Sequence, residues 1–181
     1  MKPHLNPRQA LNQGIVNEVS PQGIMDFQLC RSPSACVKIL ESWNTLNFAY
    51  GGLGMGLDFL FLSLYPLLLA LGATKVASSP RFAGHFFASV GIFAAWAQVA
   101  TFLADLVETT IQAYLVVKFA EAQSAGTYVQ SAYIATYGHL NELVYYAAVV
   151  KFAAFLVVFV FLLGALLLKL AGVTLGRSKK D

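Results

Sequence analysis

Three stretches of the chain are apolar almost without interruption, and the polar residues that interrupt them are few enough to name. Residues 51–71 (GGLGMGLDFLFLSLYPLLLAL) contain one charge, Asp58. A second run starts near residue 83, stays strongly apolar to Leu103, and continues more weakly past Asp105 and Glu108 to Ala120. A third extends from about residue 143 to 170, with Lys151 as its single charge before Lys169. Each reaches the roughly 20 residues that a helix needs to cross a bilayer. The second, taken as one helix, would be ~55 Å long at ~1.5 Å per residue, so it must tilt, bend or project beyond the hydrocarbon. Its last part, residues 109–120, is too short to be a separate span.

The segments between these runs carry weaker signals. Residues 1–20 are polar, include Pro3 and Pro7, and lack the apolar core of a signal peptide. They read as a loosely ordered tail, followed by a short helix over 21–29. Ser32-Pro33 is a sharper mark, because serine caps a helix N-terminus and proline suits the first helical position. From there Cys36, Ile39, Leu40, Trp43, Leu46 and Tyr50 recur at helical spacing, with Lys38, Glu41 and Thr45 elsewhere on the surface. That pattern predicts an amphipathic helix lying along the membrane interface ahead of the first span. Residues 72–81 form a short connection with Lys75 and Arg81. Residues 121–138 read as a small, polar, tyrosine-bearing loop with Tyr128, Tyr133 and Tyr137, with room for an interfacial helix in part of it.

The expected fold is therefore an all-α integral membrane protein with three transmembrane helices and an N-terminal amphipathic interfacial helix. A four-span alternative would need a helix within 109–137, where Lys118, Glu121 and the glutamines oppose it. The expected division is a polar segment at 1–31, the amphipathic helix at 32–50, a transmembrane bundle at 51–172 and a basic tail at 173–181. Composition agrees: hydrophobic residues make up 57% and charged residues 12%, against ~45–50% and ~25% in soluble domains. Mean hydropathy is +0.63.

Charge adds an orientation. The formal net charge is only +3, and the positive residues cluster beside the apolar runs. With three spans, Lys75, Arg81, Lys169, Arg177, Lys179 and Lys180 share one side almost unopposed by acids. The positive-inside rule assigns that side to the cytoplasm and the N-terminus to the outside. Tyr50, Tyr128, Tyr133, Tyr137, Tyr145 and Tyr146 then fall at the outer boundary, where an aromatic belt belongs. No basic stripe with interleaved aromatics marks a nucleic-acid surface, so the expected partner is the lipid bilayer, with no nucleic acid. A homo-oligomer or a place in a larger membrane complex is also expected, since three helices bury few polar groups by themselves.

The chemistry concentrates in TFLADLVETTIQ, residues 101–112. Gln98, Thr101, Asp105, Glu108, Thr109 and Gln112 recur at steps of three and four, so they form one stripe on a helix. A polar stripe on a membrane helix faces protein or water. Asp58 and Lys151 each lie about seven residues in from the outer end of their spans, roughly 10 Å deep. The late residues of the oppositely directed second span reach the same half of the bilayer. Asp58, Asp105, Glu108 and Lys151 are thus expected to share one charged layer. An unpaired charge at mid-membrane costs at least ~2.5–3.5 kcal/mol, so a structural ion pair is the first reading. A proton or cation relay is the second, because three acids face one lysine and a carboxyl left in low dielectric tends to hold a proton.

Other classes are poorly served. Gly52-x-x-x-Gly56 follows no strand and precedes no Lys-Ser/Thr, which excludes a phosphate loop and leaves close helix packing or a hinge. No nucleophile–base pair, metal-ligand cluster or cofactor motif is present, so no enzyme, metal or cofactor is expected. His85 and His139 are isolated, and Trp96 and His85 read as interfacial or packing residues. Cys30 and Cys36 match no metal or redox spacing. They read as two separate thiols, or as a bridge if their side faces an oxidising compartment.

An aspartate in GLDFLFLSLY, then WAQ…DLVET, then a lysine in VVKFAA resembles a pattern in a family of uncharacterised small bacterial membrane proteins. The resemblance spans roughly Trp43 to Gly172, and Thr109 stands where that family more typically has asparagine. It implies a bacterial inner-membrane location and that Asp58, Asp105, Glu108 and Lys151 belong together, and it transfers no activity.

Overall fold

A computed structural model describes residues 15–82 and 85–172, with the side chains of Arg81 and His85 outside that description. The N-terminal tail to residue 14, the basic tail from 173 and the expected role of His85 therefore lie outside the described residues. The described chain is helical: α1 (Ile24–Gln28), α2 (Pro33–Glu41), α3 (Thr45–Ala77), α4 (His85–Ser124) and α5 (Gln130–Leu170), with a 3-10 turn at Pro80–Phe82. The last three are long and apolar enough to cross a membrane. At ~1.5 Å per residue they measure ~50, ~60 and ~60 Å. This is an all-α membrane protein with three spans.

Local signals explain the boundaries. The Ser32 hydroxyl accepts from the Ala35 N–H at 3.2 Å and Pro33 opens α2, as expected. The amphipathic helix does not run on to residue 50, however. It ends at Glu41, and Asn44 restarts the chain by accepting from the Asn47 N–H at 3.0 Å. Leu46 and Tyr50 therefore belong to the first span. The expected loop at 121–138 contracts to residues 125–129. Gly126 has φ +65°, the Gly126 N–H donates to the Gln123 carbonyl at 3.1 Å, and the Thr127 N–H donates to the Ala122 carbonyl at 3.1 Å. This pair of bonds closes a helix on a left-handed glycine, and α5 starts four residues later.

Along their apolar stretches the three long helices bury a narrow seam and leave many large apolar side chains exposed. On α5 the buried positions include Asn141, Val144, Ala148, Lys151, Val158 and Ala165. Leu156, Phe159, Val160, Leu163 and Leu167 stay exposed. On α4 the seam follows Ala94, Gln98, Thr101, Asp105, Glu108, Gln112, Leu115 and Phe119. Polar residues inside and leucine outside invert the arrangement of a soluble protein, as hydrocarbon solvent requires.

The chain divides into two compact units. The first comprises Met1–Phe59 and Leu106–Ala148. Its core joins Phe27, Cys36, Val37, Leu40, Trp43, Leu115, Phe119 and Tyr133. The apolar face of α2, assigned from sequence to the membrane interface, is covered by protein in this core. Cys30 and Cys36 form a disulfide, with Cα atoms 5.4 Å apart, where sequence favoured separate thiols. The six-residue separation matched no motif, but the turn between α1 and α2 folds both sulfurs into the core.

Several tyrosines are likewise spent on packing and not on an aromatic belt. Tyr133 is buried and donates to the Leu115 carbonyl at 2.8 Å. Tyr128 packs on Phe119 and donates to Glu41 Oε1 at 2.7 Å. Burial first, and then the hydrogen bond to the Glu41 carboxylate, push the Tyr128 phenol above its usual value of 10.0. Tyr146 remains exposed.

The second unit comprises Leu60–Asp105 and Val149–Asp181. Its apolar core is Ala73, Ala94, Val158 and Phe161, flanked by Leu69, Val76, Phe87 and Leu162. Pro66 sits within α3 without ending it. The closest packing centres on Gly91, where a side-chain carbon would lie 2.6 Å from Ala77 Cβ and 2.8 Å from Phe161 Cζ. Gly52 and Gly56, the glycines that sequence marked for close packing, have no neighbour within 4 Å of that position beyond their own helix backbone.

Candidate functional site

The polar stripe of α4 is buried along its whole length. Gln98, Thr101, Asp105, Glu108, Thr109 and Gln112 are each at most 6% exposed. This follows from their three- and four-residue spacing, which keeps one face of the helix turned toward protein.

In the second unit the stripe supplies Gln98, Thr101 and Asp105. Lys151 of α5 donates to Asp105 Oδ1 at 3.0 Å, and Tyr65 of α3 donates its hydroxyl to Asp105 Oδ2 at 2.9 Å. Both carboxylate oxygens thus accept a hydrogen bond, one from a cation and one from a phenol. The Lys151 and Asp105 side chains are only 11% and 9% exposed. Gln98 donates to the Ala154 carbonyl at 3.4 Å, and Thr101 turns its hydroxyl back to the Ala97 carbonyl at 3.1 Å. Aromatic rings flank the cluster: Tyr65 stacks on Phe61 and meets Phe155 edge-on. The Lys151 ammonium sits 5.1 Å from the Phe152 ring centre.

This geometry favours a fixed ion pair. Moving a lone carboxylate or ammonium out of water costs several kcal/mol, and mutual attraction offsets the cost only when the remaining lone pairs are also met. Tyr65 meets the second oxygen. Three helices therefore converge on one carboxylate, and withdrawing either donor takes from Asp105 one of these two hydrogen bonds.

In the first unit the stripe supplies Glu108, Thr109 and Gln112, all fully buried. Gln112 donates to Glu108 Oε1 at 3.4 Å. Asp58 is half-buried on α3 and also belongs to this unit. His139 is exposed, and among the described residues no group of three His, Cys, Asp or Glu side chains is placed to hold a metal ion.

Sequence reasoning missed three polar contributors. Tyr65 lies seven residues after Asp58, so the two share a helix face, and that spacing was the signal that could have found it. Asn47 and Asn141 are also buried, at 7% and 3% exposure. Asn141 leads Val144, Ala148 and Lys151 at steps of three and four, so the register of Lys151 was the signal that could have found it. No family model, curated protein or solved structure matches the chain.

Proposed function

We propose that this is a non-enzymatic membrane protein whose buried Asp105–Lys151 pair, completed by Tyr65, holds its helices in a single arrangement or receives a partner helix. The observation that carries this reading is the full occupancy of Asp105: Lys151 on one oxygen at 3.0 Å and Tyr65 on the other at 2.9 Å. A carboxylate with both oxygens committed to fixed donors is a poor proton carrier and a good joint.

Two independent features support an orientation with the N-terminus outside. The positive residues favour the α3–α4 connection and the C-terminal tail as cytoplasmic, and a Cys30–Cys36 disulfide suits an oxidising compartment on the opposite side.

The test is a rescue experiment. Lys151→Met strands Asp105 in a buried site, and removing one partner of such a pair costs about 3–5 kcal/mol. Adding Asp105→Asn removes the stranded charge and restores part of that loss. Additive losses in the double variant would sink the joint. A second reading, movement of protons or cations, is favoured by the complete burial of the Glu108 carboxyl beside Gln112. Reconstituted liposomes with an internal pH dye separate the two. The structural reading expects no flux under an imposed potential, whereas flux lost in Glu108→Gln with the fold intact would replace it with transport.

A further inference from the structure

A second polar constellation lies in the first unit, apart from the Asp105 pair. Glu142, Tyr145 and Tyr146 occupy one face of α5 at i, i+3 and i+4. Arg31 approaches them from the turn between α1 and α2, and together the four residues line a cavity of about 170 Å³. The Arg31 guanidinium lies 6.0 Å from the Tyr145 ring centre, and the Tyr145 and Tyr146 rings are 5.5 Å apart. Arg31 is held on short leashes: Cys30 before it is in the disulfide, and Ser32 after it caps α2. Among the described residues neither Arg31 nor Glu142 forms an ion pair. Two opposite charges thus share a pocket without neutralising each other.

The position of this pocket along α5 selects its occupant. Before it, the exposed residues of the helix include Gln130, Ser131, Thr136 and His139. After it they include Val149, Val150, Phe152 and Leu156. The surface changes from polar to apolar across 142–146, the pattern of a boundary between headgroups and hydrocarbon. A purely anionic headgroup would meet Glu142, and a simple cation would meet Arg31. A molecule with an anion and a cation a few bonds apart satisfies both.

We propose that this pocket binds the headgroup of a zwitterionic phospholipid bearing a primary ammonium, with Arg31 on the phosphate and Glu142 on the ammonium. The guanidinium fork matches phosphate oxygens. The carboxylate accepts from N–H groups that a quaternary ammonium lacks, and the tyrosine rings flank the cation. The inference stands independently of the role of Asp105.

Native mass spectrometry of the delipidated protein in detergent tests it, by titration with phosphatidylethanolamine, phosphatidylcholine and phosphatidylglycerol of matched chains. The ethanolamine lipid is expected to bind about tenfold more tightly than the other two, the gain from one charge-assisted contact. Glu142→Gln should abolish the preference over phosphatidylcholine. Arg31→Gln should weaken both zwitterionic lipids alike. Both side chains are exposed, so the variants retain the fold, checked by an unchanged thermal midpoint. Equal affinity for the three lipids, or a preference that survives both variants, overturns the proposal. Displacement of the lipid by soluble phosphoethanolamine at equal concentration would assign the pocket to a soluble ligand and overturn it as well.

Discussion

Gly91 offers the most direct test of the helix packing. An alanine there would place its Cβ 2.6 Å from Ala77 Cβ, 2.8 Å from Phe161 Cζ and 3.3 Å from the Ala73 carbonyl oxygen. Carbon atoms prefer ~3.5–4.0 Å, so the nearest contact is short by about 1 Å. Phe161 can swing its ring tip aside. Ala77 cannot, because its Cβ moves only with the backbone of α3. Overpacking of this kind costs about 1–3 kcal/mol, and the rigid neighbour argues for the upper half of that range. Alanine also recovers about 1 kcal/mol of helix propensity over glycine, which leaves a net loss of about 1–2 kcal/mol. Gly164 is the internal control, since no heavy atom lies within 4 Å of its added carbon. Gly164→Ala should therefore gain about 0.5–1 kcal/mol from propensity alone. Reversible unfolding in mixed micelles, followed by circular dichroism against the detergent mole fraction, reads both in one assay. If Gly91→Ala is as stable as Gly164→Ala, the close approach of α4 to Ala77 and Phe161 is refuted.

Other consequences can be checked in the same assay. Tyr65→Phe removes the donor to Asp105 Oδ2 while keeping the ring between Phe61 and Phe155, and should cost about 1–2 kcal/mol; no loss would mean that the phenol does not support the carboxylate. Tyr128 contributes a pH dependence. Its folded-state value lies above the unfolded 10.0, so its stabilisation is fully present below pH 10 and fades as pH rises further, when the unfolded chain ionises first. Tyr128→Phe should therefore flatten the alkaline loss of stability seen in the parent, and parallel curves would contradict the burial and the Glu41 bond as causes. Replacing Cys30 and Cys36 by serine and alanine should cost about 2 kcal/mol for so short a loop, and the untreated parent should resist maleimide labelling until reduced.

The sequence alone determined the class of object and the inward face of the second span. Three apolar runs admit few solutions in a bilayer, because every backbone polar group must be bonded internally. The spacing of Gln98, Thr101, Asp105, Glu108 and Gln112 set their common face, because 3.6 residues make a turn whatever lies outside it. The Ser32-Pro33 helix start was equally legible, since capping is local chemistry. By contrast, the helix ends at Glu41 and Ser124 were misplaced. The marks that fix them, the Asn44 cap and the left-handed Gly126, are single residues whose weight depends on the chain around them.

Only the tertiary structure decided which partners meet. Depth along a helix gave Lys151 three carboxylates as candidates, but pairing depends on rotation about each axis. That rotation brings Asp105 to Lys151 at 3.0 Å and adds Tyr65, which sequence had not connected to either. The same limit explains the glycines. Gly52 and Gly56 carried the motif and meet no neighbour, while Gly91 carried none and sits 2.6 Å from Ala77 Cβ in the sense of an added carbon. It also explains the tyrosines and cysteines. Tyr128 and Tyr133 are as suited to a membrane interface as to a core, and two thiols six apart bond or not according to the turn that carries them. A pattern of polarity specifies which environment a side chain can tolerate; the neighbour it meets there is set by how the helices rotate and cross when the chain packs.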